Sequence, residues 1–400
     1  MKILFVSMHS IHAIRWIENL KDTDHELYWF DVTNKGRLNT IDKVTQFIDW
    51  KKRKIPAIKG EYTLYKKFPE IHSKIKHLFE VTESEALEKI ILEVNPDVIH
   101  SFEMQSCSYP IVKAMNKFPN LKWMYSCWGN DLFYFKNFKS HLQKIKAVLK
   151  RVDYLHTDCE RDYSLAKELE FKGKHIGVIP GGSGYDLKEL EQYKTPVLDR
   201  NIILIKGYQH IFGRALNVIK ALENSLEHLA NFEVVVFGAH QEVIDYIKEK
   251  NLPFKVFHRT ELSQLELIKL MGKSMIYIGN NISDGMPNTL LEAMIMNAFP
   301  IQSNPGNATA EIIEHEKNGL LMNNPNDIKN IKREILELAK NFNNNDRIEI
   351  NKRNSFGLSH IKELTNTLNI ETNITIDENK KLFIMTLTFG DNNEEKNINI

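Results

Sequence analysis

Short apolar runs alternate with amphipathic helical patterns along most of this chain, and that alternation limits the folds open to it. "KILFVS", "HELYWFDV", "PDVIHSF", "LKWMYSC", "VDYLHTD" and "HIGVIP" read as strands in the first half, each followed by helical material. A second series starts near Asn201 with "NIILIKG", "FEVVVFG", "FKVFHR", "MIYIGN" and "FPIQSN". Between those runs lie "GRALNVIKALENSLEHL", "QEVIDYIKEKN", "LSQLELIKLMGK" and "MPNTLLEAMIMN". Continuous apolar strands separated by helices are what a parallel sheet covered on both faces requires. The helix "NDIKNIKREILELAK" closes the series, with Ile328, Ile331 and Ile335 on one face. The fold expected is α/β, with two Rossmann-like doubly wound domains.

The 400 residues suffice for two such domains, and 42% apolar with 26% charged residues is the composition of a globular protein. Fifty-three basic against 52 acidic residues leave a net charge of +1, so no nucleic-acid partner is expected. Cys107, Cys127 and Cys159 are odd in number and widely spaced, which fits neither a disulfide framework nor a zinc site. The opening run is too short for a signal-peptide core, and no segment nears the ~20 apolar residues of a membrane-spanning helix. A cytoplasmic location is therefore expected.

The joint between the halves is placed at "PGGSGYDL", residues 180–187, whose glycines suit a hinge or a turn. This divides the chain into residues 1–182, 183–342, a helical segment 343–371 packing back on the first domain, and a tail 372–400. The tail holds a candidate hairpin around Asp377–Asn379 and otherwise reads as a disordered end.

The stretch "SDGMPNTLLEAM" carries the chemistry. It follows the strand "MIYIGN", so Asp284 falls at a strand's carboxyl end, where open α/β sheets bind ligands. Pro287 suits a first helical position, and the free amides of the first turn, Gly285 to Thr289, favour a phosphate. Glu292 lies further along the helix, and carboxylates accept hydrogen bonds from vicinal sugar hydroxyls. A capped surface helix is the plain alternative.

"DGMPNTLLEAMIMNAFPIQSN" and the downstream "PGNATAEIIEHEKNGLLMNNPND" resemble the retaining glycosyltransferases of family 4. The resemblance implies the GT-B fold, two Rossmann-like domains facing across a cleft. It also implies that the second domain binds a nucleotide-diphosphate sugar, a UDP- or GDP-sugar. By position Asp284 contacts the sugar, Gly285, Met286, Pro287, Asn288 and Thr289 lie at the phosphates, and Glu292 binds the ribose. Asp284 is shorter than the usual glutamate, and Asn297 stands where glycine is usual. Lys206 and Arg214 are assigned to the departing diphosphate, with solvated charges at element ends as the alternative. Gly238 and His258 are placed at the base. No cofactor or metal is called for.

In the first half "CWGND" resembles the family's "WGSD", which makes Asp131 a candidate to orient a hydroxyl, with Asn130 beside it. Trp128 replaces a histidine found in many relatives. His12, Arg15, His100 and Glu103 are candidate acceptor contacts, and packed core histidines are the alternative for His12 and His100. "DTD" at Asp22–Asp24 is read as a solvated turn, and His9 with His12 lacks a third zinc ligand.

Residues 51–76 hold nine basic and two acidic residues with Tyr62, Tyr65 and Phe68 interleaved. They read as a solvated loop, as a patch for an anionic membrane surface that would place the protein peripherally on the inner face, or as a contact for an acidic glycan. The expected activity is sugar transfer with retention to a glycan or lipid-linked acceptor, in cell-surface polysaccharide or glycolipid synthesis. A nucleotide-sugar epimerase or hydrolase and a silent nucleotide-sugar-binding protein are the competing readings. A dinucleotide oxidoreductase is disfavoured, because no G-x-G-x-x-G follows the first strand.

Overall fold

The computed structural model describes residues 1–56, 58–179, 184–223, 225–343, 370–377, 382–389 and 395–399. The chain forms two compact units. The first is Met1–Thr157 with Asp162–Val178, and the second is Asp158–Arg161 with Ile179–Ile400.

The first unit is built on seven strands: β1 (Lys2–Ser7), β2 (Glu26–Asp31), β3 (Thr45–Phe47), β4 (Val98–Phe102), β5 (Lys122–Ser126), β6 (Tyr154–Thr157) and β7 (Lys174–Val178). All pair in parallel, in the order β3-β2-β1-β4-β5-β6-β7. Side chains alternate between the faces of a strand. Leu4 and Val6 of β1 thus join a core with Ile90 and Ile91 of the helix Glu83–Val94 and Ile111 and Met115 of Tyr109–Lys117. Phe5 faces the other way, toward the His100 and Phe102 rings. The helix Glu83–Val94 starts where its sequence says it should. Thr82 and Glu85 form a reciprocal capping box, and Asn95 closes the helix in the left-handed conformation.

The second unit repeats the plan with β8 (Ile202–Lys206), β9 (Glu233–Ala239), β10 (Lys255–His258), β11 (Ser274–Gly279), β12 (Phe299–Ser303) and β13 (Leu320–Met322). They too are parallel, ordered β10-β9-β8-β11-β12-β13. Ile203 and Ile205 face a core with Val218 and Ile219 of the helix Ala215–Glu223 and Ile331 and Ile335 of Ile328–Asn343. Ile202 and Leu204 face the opposite core, with Met271 of Gln264–Lys273 and Leu290 and Met294 of Asn288–Ile295. A doubly covered sheet is thus written into four consecutive apolar residues.

The short strands β3 and β13 and the helices Glu61–Lys67 and Pro69–Phe79 were not anticipated. Three residues carry no detectable period, and the basic composition of residues 51–76 masks their helical pattern. In the tail, β14 (Ile370–Asp377), β15 (Leu382–Phe389) and β16 (Glu395–Asn399) form an antiparallel sheet, with Asp377 paired to Leu382 across the expected hairpin. The first residues of the anticipated hinge, 180–183, and the helix anticipated in "SHIKELTNTL" lie outside the described residues.

Arg200 fixes the second unit internally. It is 2% exposed, and its guanidinium donates to the carbonyls of Thr195 (2.8 Å), Ser274 (3.2 Å) and Met296 (2.8 Å). Burial lowers its pKa to about 10, so it stays charged at neutral pH. Replacement by an apolar side chain strands three buried acceptors, each worth about 1–3 kcal/mol. Arg200→Met is expected to lower the urea stability of the second unit by about 2–5 kcal/mol. A loss under ~0.5 kcal/mol, the usual effect of a neutral surface change, would show those carbonyls to be solvated.

Candidate functional site

In each of the two parallel sheets the strand order reverses once, between β1 and β4 and between β8 and β11. Connections leave in opposite directions there, which opens a crevice at the strands' carboxyl ends. The second unit places "SDGMP" directly after β11 at this point.

Asp284 is half-buried in that loop. Its Oδ2 accepts from Asn281 Nδ2 at 2.9 Å, and its Oδ1 accepts from the Gly285 amide at 3.1 Å. Burial raises the carboxyl's pKa, and the charges of Lys206 and Arg161, the Gly285 amide and Asn281 oppose that rise. Gly285 lies close against Asp158: a Cβ there would be 2.1 Å from its Oδ2, so that carboxylate would have to shift. The same oxygen accepts from the Met286 amide at 3.3 Å, so a carboxylate already sits against these amides.

The following helix begins at Asn288, one residue later than expected. Pro287 is its N-cap, with φ −68° and ψ 121°, and its carbonyl accepts from the Leu290 and Leu291 amides. Proline serves equally before the helix, because its missing N–H costs nothing in either place. Thr289 Oγ1 meets the buried Tyr277 hydroxyl at 2.9 Å. Glu292 is 2% exposed, and its Oε1 accepts from Gln264 Nε2 at 2.7 Å. The helix ends at Ile295, and Asn297, two residues on, has a φ of 64°, the left-handed conformation that asparagine tolerates.

Lys206, at the end of β8, lies with Nζ 4.6 Å from the centre of the Tyr208 ring. Arg214 Nη1 donates to the carbonyls of Gly213 (2.7 Å), His210 (3.0 Å) and Ile211 (3.3 Å), bracing the turn that carries it. Gly238 has φ +63°, and a Cβ there would lie 2.8 Å from Tyr208 Cε1. The space expected to admit a base at Gly238 is therefore filled by the Tyr208 ring. His258 is half-buried, and its Nδ1 meets Thr260 Oγ1 at 3.1 Å.

In the first unit the candidates separate. His12 and Trp128 meet edge to face, with ring centres 5.6 Å apart, and His12 and Arg15 share the helix Ile11–Glu18. His9 instead meets Asp31 and the Gly36 carbonyl. His100 is 4% exposed and its Nε2 meets Ser126 Oγ at 2.7 Å, while the Phe102 ring stacks 4.1 Å away. The acceptor contact expected of His100 is corrected accordingly: it is a packed, hydrogen-bonded core histidine. Burial first, then His156, holds its pKa well below the usual value.

Glu103 ends β4 with φ 61° and ψ 142°, a conformation that costs a non-glycine residue about 1–3 kcal/mol. Its carboxylate offsets that strain by accepting from the amides of Gln105 (2.9 Å) and Ser106 (2.6 Å), so it caps the turn Met104–Ser108. Asp131 is 2% exposed. Its Oδ2 accepts from Tyr125 OH (2.7 Å), the Met104 amide (3.1 Å) and the Trp128 amide (3.2 Å). It therefore ties β4 to β5 and holds the Trp128 amide, and its burial leaves it closed to the sugar hydroxyl expected from the sequence. Asn130, beside it, is half-buried. The three cysteines are free thiols and buried.

Asn281, Gln264 and Tyr208 were not singled out from the sequence. Asn281 lies three residues before Asp284, a local signal; Gln264 meets Glu292 only through the fold.

Burial first, then Glu103, raises the Asp131 pKa to about 8. An unfolded aspartate titrates near ~4, so between these values the native state holds a proton that the unfolded state releases. Stability then falls as pH rises across that window. The urea midpoint of the first unit is expected to drop between about pH 5 and pH 8, and Asp131→Asn should flatten the profile. Parallel profiles for the two proteins would mean that Asp131 titrates normally.

Residues 2–158 match the family model described as "Glycosyl transferase 4-like", and residues 195–355 match "Glycosyl transferases group 1". Glycosyltransferase 1 domain-containing protein 1 of Xenopus tropicalis is 28% identical over 117 residues, covering 28% of this chain and 33% of that protein. The match thus spans about a third of that relative's length. Among solved structures, sucrose-phosphate synthase from Thermosynechococcus elongatus superposes with a TM-score of 0.58 at 15% identity, covering 92% of this chain and 99% of its own. Anabaena HepE, solved in complex with UDP and glucose, gives 0.56 at 15% identity, with 91% and 99% covered. A UDP-forming alpha,alpha-trehalose-phosphate synthase from Burkholderia xenovorans gives 0.61 at 12% identity, with 90% and 95% covered. These likenesses establish the GT-B fold, and both halves of the chain match glycosyltransferase domains.

Proposed function

We propose that this GT-B chain is a retaining glycosyltransferase that moves a sugar from a nucleotide-diphosphate sugar to a glycan or lipid-linked acceptor without a metal ion. The observation that carries the reading is the loop after β11. A half-buried carboxylate, Asp284, stands at the strand-order reversal, held by Asn281 and favoured by the charge of Lys206. The helix that follows presents the buried, Gln264-oriented Glu292.

In this reading Asp284 binds the donor sugar and Glu292 binds the ribose hydroxyls. Lys206, Arg214 and the amides of Gly285, Met286, Asn288 and Thr289 hold the diphosphate. Asp158 leaves the Met286 amide when the phosphate arrives, because two anions compete for one donor. The diphosphate departs on the face from which the acceptor hydroxyl attacks and takes up that hydroxyl's proton. The C1–leaving oxygen bond breaks as the C1–acceptor oxygen bond forms, with no covalent enzyme intermediate. Lys206 neutralises the charge that grows on the leaving oxygen, an effect largest where water is excluded. The acceptor binds the first unit at the carboxyl end of β1, near His12, Arg15 and Trp128.

The first experiment is a thermal-shift screen of UDP-, GDP- and ADP-sugars, in which at least one should stabilise the protein. Glu292→Ala should then weaken binding of that donor by about 10- to 100-fold, the loss expected for hydrogen bonds to a charged group. Asp284→Ala should lower transfer by about 100-fold or more while the donor still binds. Full activity in both variants would remove the site.

The basic segment supports a membrane-surface acceptor. Tyr62, Tyr65, Phe68, Ile71 and Leu78 are each more than half exposed. Four basic residues are already paired: Lys51 and Lys76 with Glu80, Arg53 with Glu61, and Lys54 with Glu85. Lys52, Lys59 and Lys67 are exposed and form no ion pair among the described residues. Flotation with phosphatidylglycerol vesicles should decrease as salt rises. It should weaken about fivefold for each of Lys52, Lys59 and Lys67 replaced by Gln, the equivalent of about 1 kcal/mol per charge. No flotation at low salt would exclude this surface.

A further inference from the structure

Three neighbouring strand ends of the second unit converge on one ring. Lys206 ends β8, His240 follows β9 and Arg259 follows β10, while Tyr208 and His210 lie in the loop after β8. About the centre of the Tyr208 ring stand Lys206 Nζ at 4.6 Å and the Arg259 guanidinium carbon at 5.6 Å. The His240 and His210 rings lie at 5.6 Å and 5.7 Å, and the two imidazoles are 5.3 Å apart.

The hydrogen bonds inside this group do not balance. His240 Nδ1 accepts from the Gln209 amide at 3.2 Å, so in the neutral ring the hydrogen sits on Nε2. That Nε2 faces Arg259 Nη1 at 3.3 Å, and a guanidinium has only donors to offer. Two N–H groups thus point at one another. His210 Nδ1 accepts from the Phe212 amide at 3.1 Å, which leaves its hydrogen on Nε2 as well. An oxyanion beside Arg259 Nη1 and His240 Nε2 would accept from both and remove the mismatch.

We propose that Arg259 and the Nε2–H groups of His240 and His210, grouped about Tyr208 beside Lys206, clamp a phosphate of the nucleotide donor, with both imidazoles neutral. The proposal rests on the donor reading given above. Arg214 Nη1 braces the turn that carries His210 by donating to three carbonyls.

The surroundings keep the imidazoles neutral. Burial first, then His240, Lys206, Arg259 and Arg214, lowers the His210 pKa to about 4. Burial first, then Arg259 and His258, lowers that of His240, against the Gly207 backbone contact and the weaker pull of Glu242. Protonation would also place a hydrogen on each Nδ1, where a backbone amide already donates. Neutral N–H donors bind an anion without taking up a proton.

Titration calorimetry of the full chain with UDP-glucose, GDP-glucose, ADP-glucose and inorganic pyrophosphate tests this. Arg259→Ala should weaken binding by about tenfold or more, as for a lost charge-assisted hydrogen bond. His240→Ala should weaken it by up to about tenfold, and His240→Gln, whose Nε2 supplies a donor at a similar reach, should restore most of that loss. Affinity for the nucleotide sugar should stay flat from about pH 8 to pH 6.5, with the same heat in buffers of different ionisation enthalpy. Nucleotide-sugar affinity unchanged in Arg259→Ala and His240→Ala would overturn the clamp and leave the donor reading standing. Proton uptake on binding would overturn the neutral imidazoles. Pyrophosphate binding that needs Arg259 and His240, with no nucleotide sugar bound, would keep the anion clamp and remove the donor reading. Binding of none would remove both.

Discussion

Parallel pairing of strands buried on both faces governs this molecule. A parallel pair cannot be joined by a tight turn, so every connection crosses a face and returns, and the strands' carboxyl ends gather on one edge of each sheet. That edge lacks a covering layer where the order reverses. Asp284, Lys206, Tyr208, His240 and Arg259 all occupy it in the second unit, although they are spread over more than fifty residues of sequence. No local preference brings them together; sheet topology does.

The charge balance at that edge explains how such groups are tolerated. Asp284 would be costly to bury alone, and it is offset by an amide, an asparagine and nearby cations. The cations around Tyr208 also meet an aromatic face, which gives modest attraction at low desolvation cost. Glu103 in the first unit is the counterpart in strain. Its unusual backbone is retained because its own carboxylate and carbonyl satisfy the turn it begins.

How much of this was legible depended on the range of each signal. The long apolar strands were readable because burial on both faces leaves four or more apolar residues in succession, as in Ile202 to Ile205. Three-residue β3 and β13 are held by their neighbours and have no such signature. Pro287 was legible to within one residue, since proline fits both the N-cap and the first turn. The local spacing of Asp284 and Glu292 identified the loop, whereas Gln264 reaches Glu292, and His240 and Arg259 reach Tyr208, only through tertiary structure. His100 and Asp131 misled for a common reason. A polar residue at a strand end looks alike in sequence whether it faces the crevice or secures the strand beneath it, and here both are nearly inaccessible.

The three thiols follow from the same burial. Cys107 and Cys127 lie in the core of the first unit and Cys159 is also fully covered, and burial makes Cys107 a still weaker acid. A thiol of that kind is inert toward alkylating reagents until the structure around it opens. The chain therefore carries its own clock for breathing: the rate at which Cys107 and Cys127 become modifiable measures the opening of the first unit's core, with no label added and no surface changed.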